Sequence, residues 1–152
     1  MKKPVALRAS IVISLLILVD VFNLIQAKRD NPRLNEESQK FVDQAIPSLT
    51  RTWNPIESKD LFVKAVRDSI NNENMKATFS SLNALLGPIL VYNGSKGEAG
   101  IHLSVWGTKW TSAEYTGSGN FKNGYGVVRV ELRVENGFWK VASFNAYLKP
   151  EH

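Results

Sequence analysis

The chain has 152 residues, 19 Lys+Arg against 14 Asp+Glu, and no cysteine. That length suits one compact domain. The missing cysteines exclude a disulfide framework, a thiolate metal site and a cysteine nucleophile, and two histidines (His102 and His152) leave little for a multi-histidine metal centre.

Lys2, Lys3 and Arg8 precede an apolar run from Ile11 to Val19 that Asp20 interrupts. A positive start followed by about ten apolar residues is the pattern of an export signal. Two readings of residues 1–27 fit: a signal peptide cut after Ala27, or an uncleaved anchor from about Ala9 to Ala27. Both place residues 28–152 outside the cytoplasm, in the periplasm or anchored to the inner membrane. The segment takes three cations and one acid with it, so the remaining chain is only mildly basic. Its Lys and Arg alternate with Glu and Asp rather than forming a stripe, which argues against a nucleic-acid partner.

Residues 28–35 are polar, contain Pro32 and read as a linker, leaving 36–149 as the domain. From an N-cap at Asn35, the apolar residues Phe41, Val42, Ala45, Ile46 and Leu49 recur at helical spacing, and Pro47 is expected to bend or end this helix. A second helix is expected from Ser58, with Leu61, Phe62, Ala65, Val66 and Ile70 on one stripe. A third runs from about Glu73 to Leu86 and stops at Gly87-Pro88.

The period then changes. Short strands are expected at Ile89–Tyr92 and Ile101–Trp106, separated by the glycine-rich 93–97. Asn123-Gly124 and Asn136-Gly137 are hairpin signals that make the last forty residues a three-stranded meander. Two-residue turns at both Asn-Gly pairs put Leu132 opposite Tyr115 and Val141, Val130 opposite Gly117 and Ser143, and Val128 opposite Gly119 and Asn145. The inward face then carries Tyr115, Trp139, Ser143 and Asn145. The outward face is charged near Glu131 and Arg133 and turns apolar through Val127, Phe144, Ala146 and Leu148. A bulge would move this register by one residue.

Helices followed by an antiparallel meander make an α+β arrangement, with the helices packed on a curved sheet. Ile46-Pro47, Trp53, Leu86-Gly87-Pro88, Ala113-x-Tyr115, Phe121-x-Asn123-Gly124 and Gly137-x-Trp139-x-Val141-x-x-Phe144-Asn145 are the residues by which residues 36–148 resemble a known group. The sequence resembles nuclear-transport-factor-like (cystatin-like) domains, the superfold that includes ketosteroid isomerase, and within it small exported bacterial proteins of unknown function. The resemblance implies a cystatin-like roll at an extracytoplasmic location. It does not imply an activity, because the superfold serves enzymes, receptors, assembly pieces and dimerisation modules alike.

Trp53, Tyr115, Trp139, Ser143 and Asn145 are the expected ligand-pocket residues. Val127, Phe144, Ala146 and Leu148 are the expected partner interface, for a homodimer or a membrane complex. No catalytic residue, cofactor or metal is assigned, since no inward acid appears on the meander. Asp43 and Asp68 fall on polar helix sides, Asp60 reads as a helix-start charge, and His102 as a half-buried strand histidine. Asn93-Gly94-Ser95 reads as a turn rather than a glycosylation site, and Ser118 sits within a strand rather than at a nucleophile elbow. Trp106 and Trp110 fit a core less readily and are candidates for a partner or membrane-surface contact. The expectation is a noncatalytic binding or assembly domain. The alternatives are a ketosteroid-isomerase-like enzyme with His102 or an unrecognised carboxylate as base, and a type IV secretion-type inner-membrane component.

Overall fold

A computed structural model describes residues 31–150 and the backbone of Leu24–Ile25; the expected signal or anchor segment otherwise lies outside the described residues. The chain is α+β. A short β1 (Leu24–Ile25) is followed by α1 (Pro32–Thr52), a 3-10 turn (Lys59–Leu61), α2 (Lys64–Asp68), α3 (Glu73–Leu86) and four long strands. These are β2 (Ile89–Ser104), β3 (Lys109–Phe121), β4 (Gly124–Glu135) and β5 (Phe138–Leu148). The sheet is antiparallel throughout, with strands in sequence order. Among the described residues, no helix is long and apolar enough to cross a membrane.

α1 begins earlier than Asn35, inside the expected linker. Asn31 accepts the Leu34 N–H at 3.3 Å, and Pro32 occupies the first turn, where its missing N–H costs nothing. The helix also runs through Pro47 to Thr52, where Trp53 closes it in a left-handed conformation. Tertiary burial of Val42, Ala45, Ile46 and Leu49 outweighs the bond that Pro47 removes. The expected second helix is reduced to the 3-10 turn and five-residue α2, whereas α3 occupies the expected span, capped by Asn72 through the Asn74 N–H.

The meander has four long strands, not three. The two short strands expected between 89 and 106 are one continuous strand, β2, which pairs along β3 and absorbs its glycine-rich stretch as irregularities between Ile89 and Val91 and between Tyr92 and Ser95. Gly94 sits there at φ +88.

The second hairpin turns at Asn136-Gly137, both with positive φ, and pairs Glu135 with Phe138 as expected. The first turns one residue early, at Lys122-Asn123, so that Phe121 pairs with Gly124. The cause is α3. Asn123 donates its side-chain amide to the carbonyls of Ala84 and Leu85 at 3.1 and 3.2 Å and its backbone N–H to Leu86, satisfying carbonyls the helix end leaves open. Tyr115 therefore faces Val130 rather than Leu132, and Glu114 faces Glu131. A shift of two residues keeps every side chain on its face and changes only its neighbours.

On β5 the face itself changes. Leu132 pairs with Val141 but Glu131 with Ser143, leaving Ala142 as a bulge. At that point Val141 also accepts the Val63 N–H at 3.0 Å and bridges to Phe62, so the segment after α1 lies along the edge of β5. Beyond the bulge Phe144, Ala146 and Leu148 turn inward, and Ser143, Asn145 and Tyr147 turn outward.

The core fills the space between sheet and helices. α1 packs across β2 and β3, and α3 against β5. Phe79 sits between Phe62 and Phe144, with ring centroids 6.3 and 5.2 Å away. At the other end Trp53 packs 6.2 Å from Phe121. Glycines at the sheet centre allow this closeness: a Cβ on Gly117 would lie 2.6 Å from Ile46, and one on Gly119 would lie 2.3 Å from the Val91 carbonyl oxygen.

Candidate functional site on the outer sheet face

The expected pocket residues do not converge. Trp53 is buried and donates its indole N–H to the Gly87 carbonyl at 2.7 Å, tying the end of α1 to the end of α3. Tyr115 is buried, and its hydroxyl meets Ser38 Oγ at 2.8 Å and the Asn35 carbonyl at 3.0 Å. Trp139 is half-buried against the core. Ser143 and Asn145, expected beside them, point out of the other face because of the Ala142 bulge.

The expected partner interface is corrected by the same bulge. Phe144 belongs to the aromatic core, Ala146 is buried and Leu148 packs against the core, leaving Val127 on the outer face. Registers counted from turns cannot reveal a one-residue insertion whose cause, the Phe62–Val63 segment, lies far back in the chain.

Asp43 is also corrected. It faces β2 rather than solvent, and its Oδ1 accepts the hydroxyls of Tyr92 and Ser95, each at 2.7 Å. Burial first, and then the bond to Asp43, raise the Tyr92 hydroxyl well above the usual tyrosine pKa, although Ser95 pulls the other way. Tyr115 is raised chiefly by burial, against the pull of Ser38. Both donors on Asp43 come from β2, and the Tyr115 hydroxyl is engaged by α1, so these polar groups fasten helix to sheet.

Asp68 pairs with Lys64 at 2.5 Å on the surface, and Asp60 lies in the exposed 3-10 turn, as a helix-start charge should. His102 is half-buried on the outer side of β2. It stacks on Trp110 at 5.3 Å and shares a 2.8 Å hydrogen bond with Ser112.

What the pairing assembles is a charged depression of about 500 Å³ on the outer face. Two neighbouring rows of side chains run over this face, and all but Glu98 line the depression. Lys96, Thr116, Arg129 and Asn145 stand opposite one another on β2, β3, β4 and β5, and Glu98, Glu114, Glu131 and Ser143 form the next row. Arg133 pairs with Glu131 at 3.2 Å, Ser143 donates to Glu131 at 3.4 Å, and the Arg129 guanidinium lies 5.8 Å from the Tyr147 ring centroid. Among the described residues no group of His, Asp or Glu side chains has the arrangement of a metal site.

Sequence reasoning missed these rows because its first-hairpin register set Glu131 opposite Thr116 and Arg133 opposite Glu114. The missing signal was the side chain of Asn123, which serves α3 as well as the turn. Set against protein-family models, curated proteins and solved structures, the chain matches none of them.

Proposed function

We propose that this is an exported or membrane-anchored binding or assembly domain of the cystatin-like roll type, working without turnover and holding its ligand or partner on the outer sheet face. The observation that carries the reading is the Glu114–Glu131 pair. Like charges directly opposite one another on neighbouring strands work against the sheet by some tenths of a kcal/mol, yet these two stand in register beside Lys96 and Arg129 in a depression. The inner face is taken up by core side chains, and its polar groups are bonded to one another. The ligand class that complements the outer face is zwitterionic, with a cationic group over Glu114 and an anionic one over Lys96 and Arg129.

The test is thermal denaturation of the full chain with a Lys-Glu dipeptide, spermidine and glutarate as probes. The dipeptide is expected to raise the midpoint more than spermidine or glutarate, each of which carries charge of one sign only, and the rise is expected to vanish in Glu114→Gln and shrink in Arg129→Gln. Equal shifts in all three proteins, or none in the wild type, would remove the reading.

A further inference from the structure

The β2–β3 hairpin ends in an apolar tip. Trp106 is 91% exposed, Val105 56% and Leu103 46%. A tryptophan displayed this fully is unusual, because its large ring is normally covered. The display is built rather than frayed. Ser104 N–H donates to the Thr108 carbonyl at 2.8 Å, Gly107 N–H to the Ser104 carbonyl at 2.9 Å, and Thr108 N–H to Ser104 Oγ at 3.0 Å, while Gly107 takes the positive φ that the turn requires. Trp110, by contrast, is half-covered and stacked on His102, so the two tryptophans do different things.

The tip also has a particular neighbour. β1 pairs Leu24 with Ser104 and Ile25 with Leu103, so the chain passes alongside the tip shortly after the apolar run Ile11–Val19 ends. Leu24 lies five positions after Val19, a reach of at most about 18 Å. Lys109 stands exposed at the start of β3, and Lys28-Arg29 follow β1 in sequence. An exposed tryptophan with an exposed lysine at the same turn, in a chain whose sequence carries an apolar run before β1 and Lys28-Arg29 after it, is the chemistry of the bilayer interface, where the indole ring sits at headgroup depth and cations meet anionic lipid.

We propose that the Leu103–Lys109 tip is a second membrane contact, with Trp106 seated at the interface of an anionic phospholipid bilayer that holds the N-terminal segment. The inference rests on the N-terminal segment being retained as an anchor, with its end before Leu24, because β1 holds Leu24 and Ile25 in the sheet. Its consequence is orientation: two points of attachment hold the domain at a set angle to the membrane instead of leaving it free on a tether.

Because the chain has no cysteine, one introduced thiol takes a label uniquely. Val105→Cys and Ile56→Cys, both at exposed positions, would carry an environment-sensitive fluorophore on the full-length protein in vesicles of phosphatidylcholine and phosphatidylglycerol. Ile56 lies in the turn after Trp53, which packs on Phe121 at the opposite end of β3. The label at 105 is expected to shift to shorter wavelength and to be quenched by brominated lipid roughly twofold or more over the label at 56, as suits headgroup depth. Adding Trp106→Ser should return it to the aqueous signal. If the chain floats with the vesicles but the label at 105 stays as wet as that at 56, the tip contact is overturned and the anchored reading stands. A shift that survives Trp106→Ser overturns the role of Trp106, and a chain that does not float overturns the anchor and the tip together.

Discussion

Tyr92 on β2 donates its hydroxyl to Asp43 Oδ1 on α1 at 2.7 Å, and Ser95 donates to the same oxygen at the same distance. One carboxylate thus fastens the long helix to the strand carrying the irregular, glycine-rich stretch. Asp43→Ala removes the acceptor from two hydroxyls and is expected to cost about 2 kcal/mol, the range for hydrogen bonds to a charged group. Urea unfolding monitored by circular dichroism measures it.

The two inward tyrosines predict an alkaline limit. Both hold their protons more tightly in the folded chain than an unfolded tyrosine does. The stability they contribute is therefore complete below pH about 10 and is lost as the pH rises from there through the higher folded values. Between about pH 9 and about pH 11, Tyr92→Phe should lose less stability than the wild type. Paired urea curves at the two pH values give the difference, and equal losses would contradict the assignment.

Phe144 separates a core position from an interface position. As a core ring against Phe62 and Phe79, its truncation to alanine should cost about 3 kcal/mol of unfolding free energy. Native mass should be unchanged at concentrations where the variant is folded. Dissociation of an oligomer without loss of stability would return Phe144 to the outer face.

The central glycines differ in how far their surroundings yield. Gly119→Ala drives a Cβ onto the Val91 carbonyl, which is backbone, whereas Gly117→Ala meets the tip of Ile46, which can rotate. Overpacking of this kind costs about 1 to 3 kcal/mol. Thermal denaturation should place Gly119→Ala nearer the upper value and Gly117→Ala nearer the lower.

Trp53→Phe keeps an aromatic ring beside Phe121 but deprives the Gly87 carbonyl of its donor. A loss of about 1 to 3 kcal/mol is expected for the unpaired buried group. Faster amide exchange at the junction of α1 and α3 should accompany it, as hydrogen-exchange mass spectrometry would detect.

The candidate outer face was half-legible. Glu114, Glu131, Arg129, Ser143 and Asn145 are plain in the sequence, and the two-residue period already put the first three on the outward side. Their assembly into rows was hidden, because an Asn-Gly pair specifies a turn without saying which two residues occupy its tip. Asn123 decided that by donating to Ala84 and Leu85, 39 and 38 residues earlier in the chain.

By itself the sequence determined α3 with its stop at Gly87, the core stripe of α1, the alternation of β3 and β4 and the turn at Asn136-Gly137. Each depends on neighbours a few residues apart, within reach of helical or strand periodicity. Only the tertiary structure decided that α1 continues through Pro47, that Asp43 faces β2, that the first hairpin turns at Lys122 and Asn123, and that Ala142 bulges so Phe144 enters the core. These outcomes share one physical cause: backbone and polar groups must find hydrogen-bond partners, and here those partners are supplied by distant segments such as Phe62–Val63 against Val141.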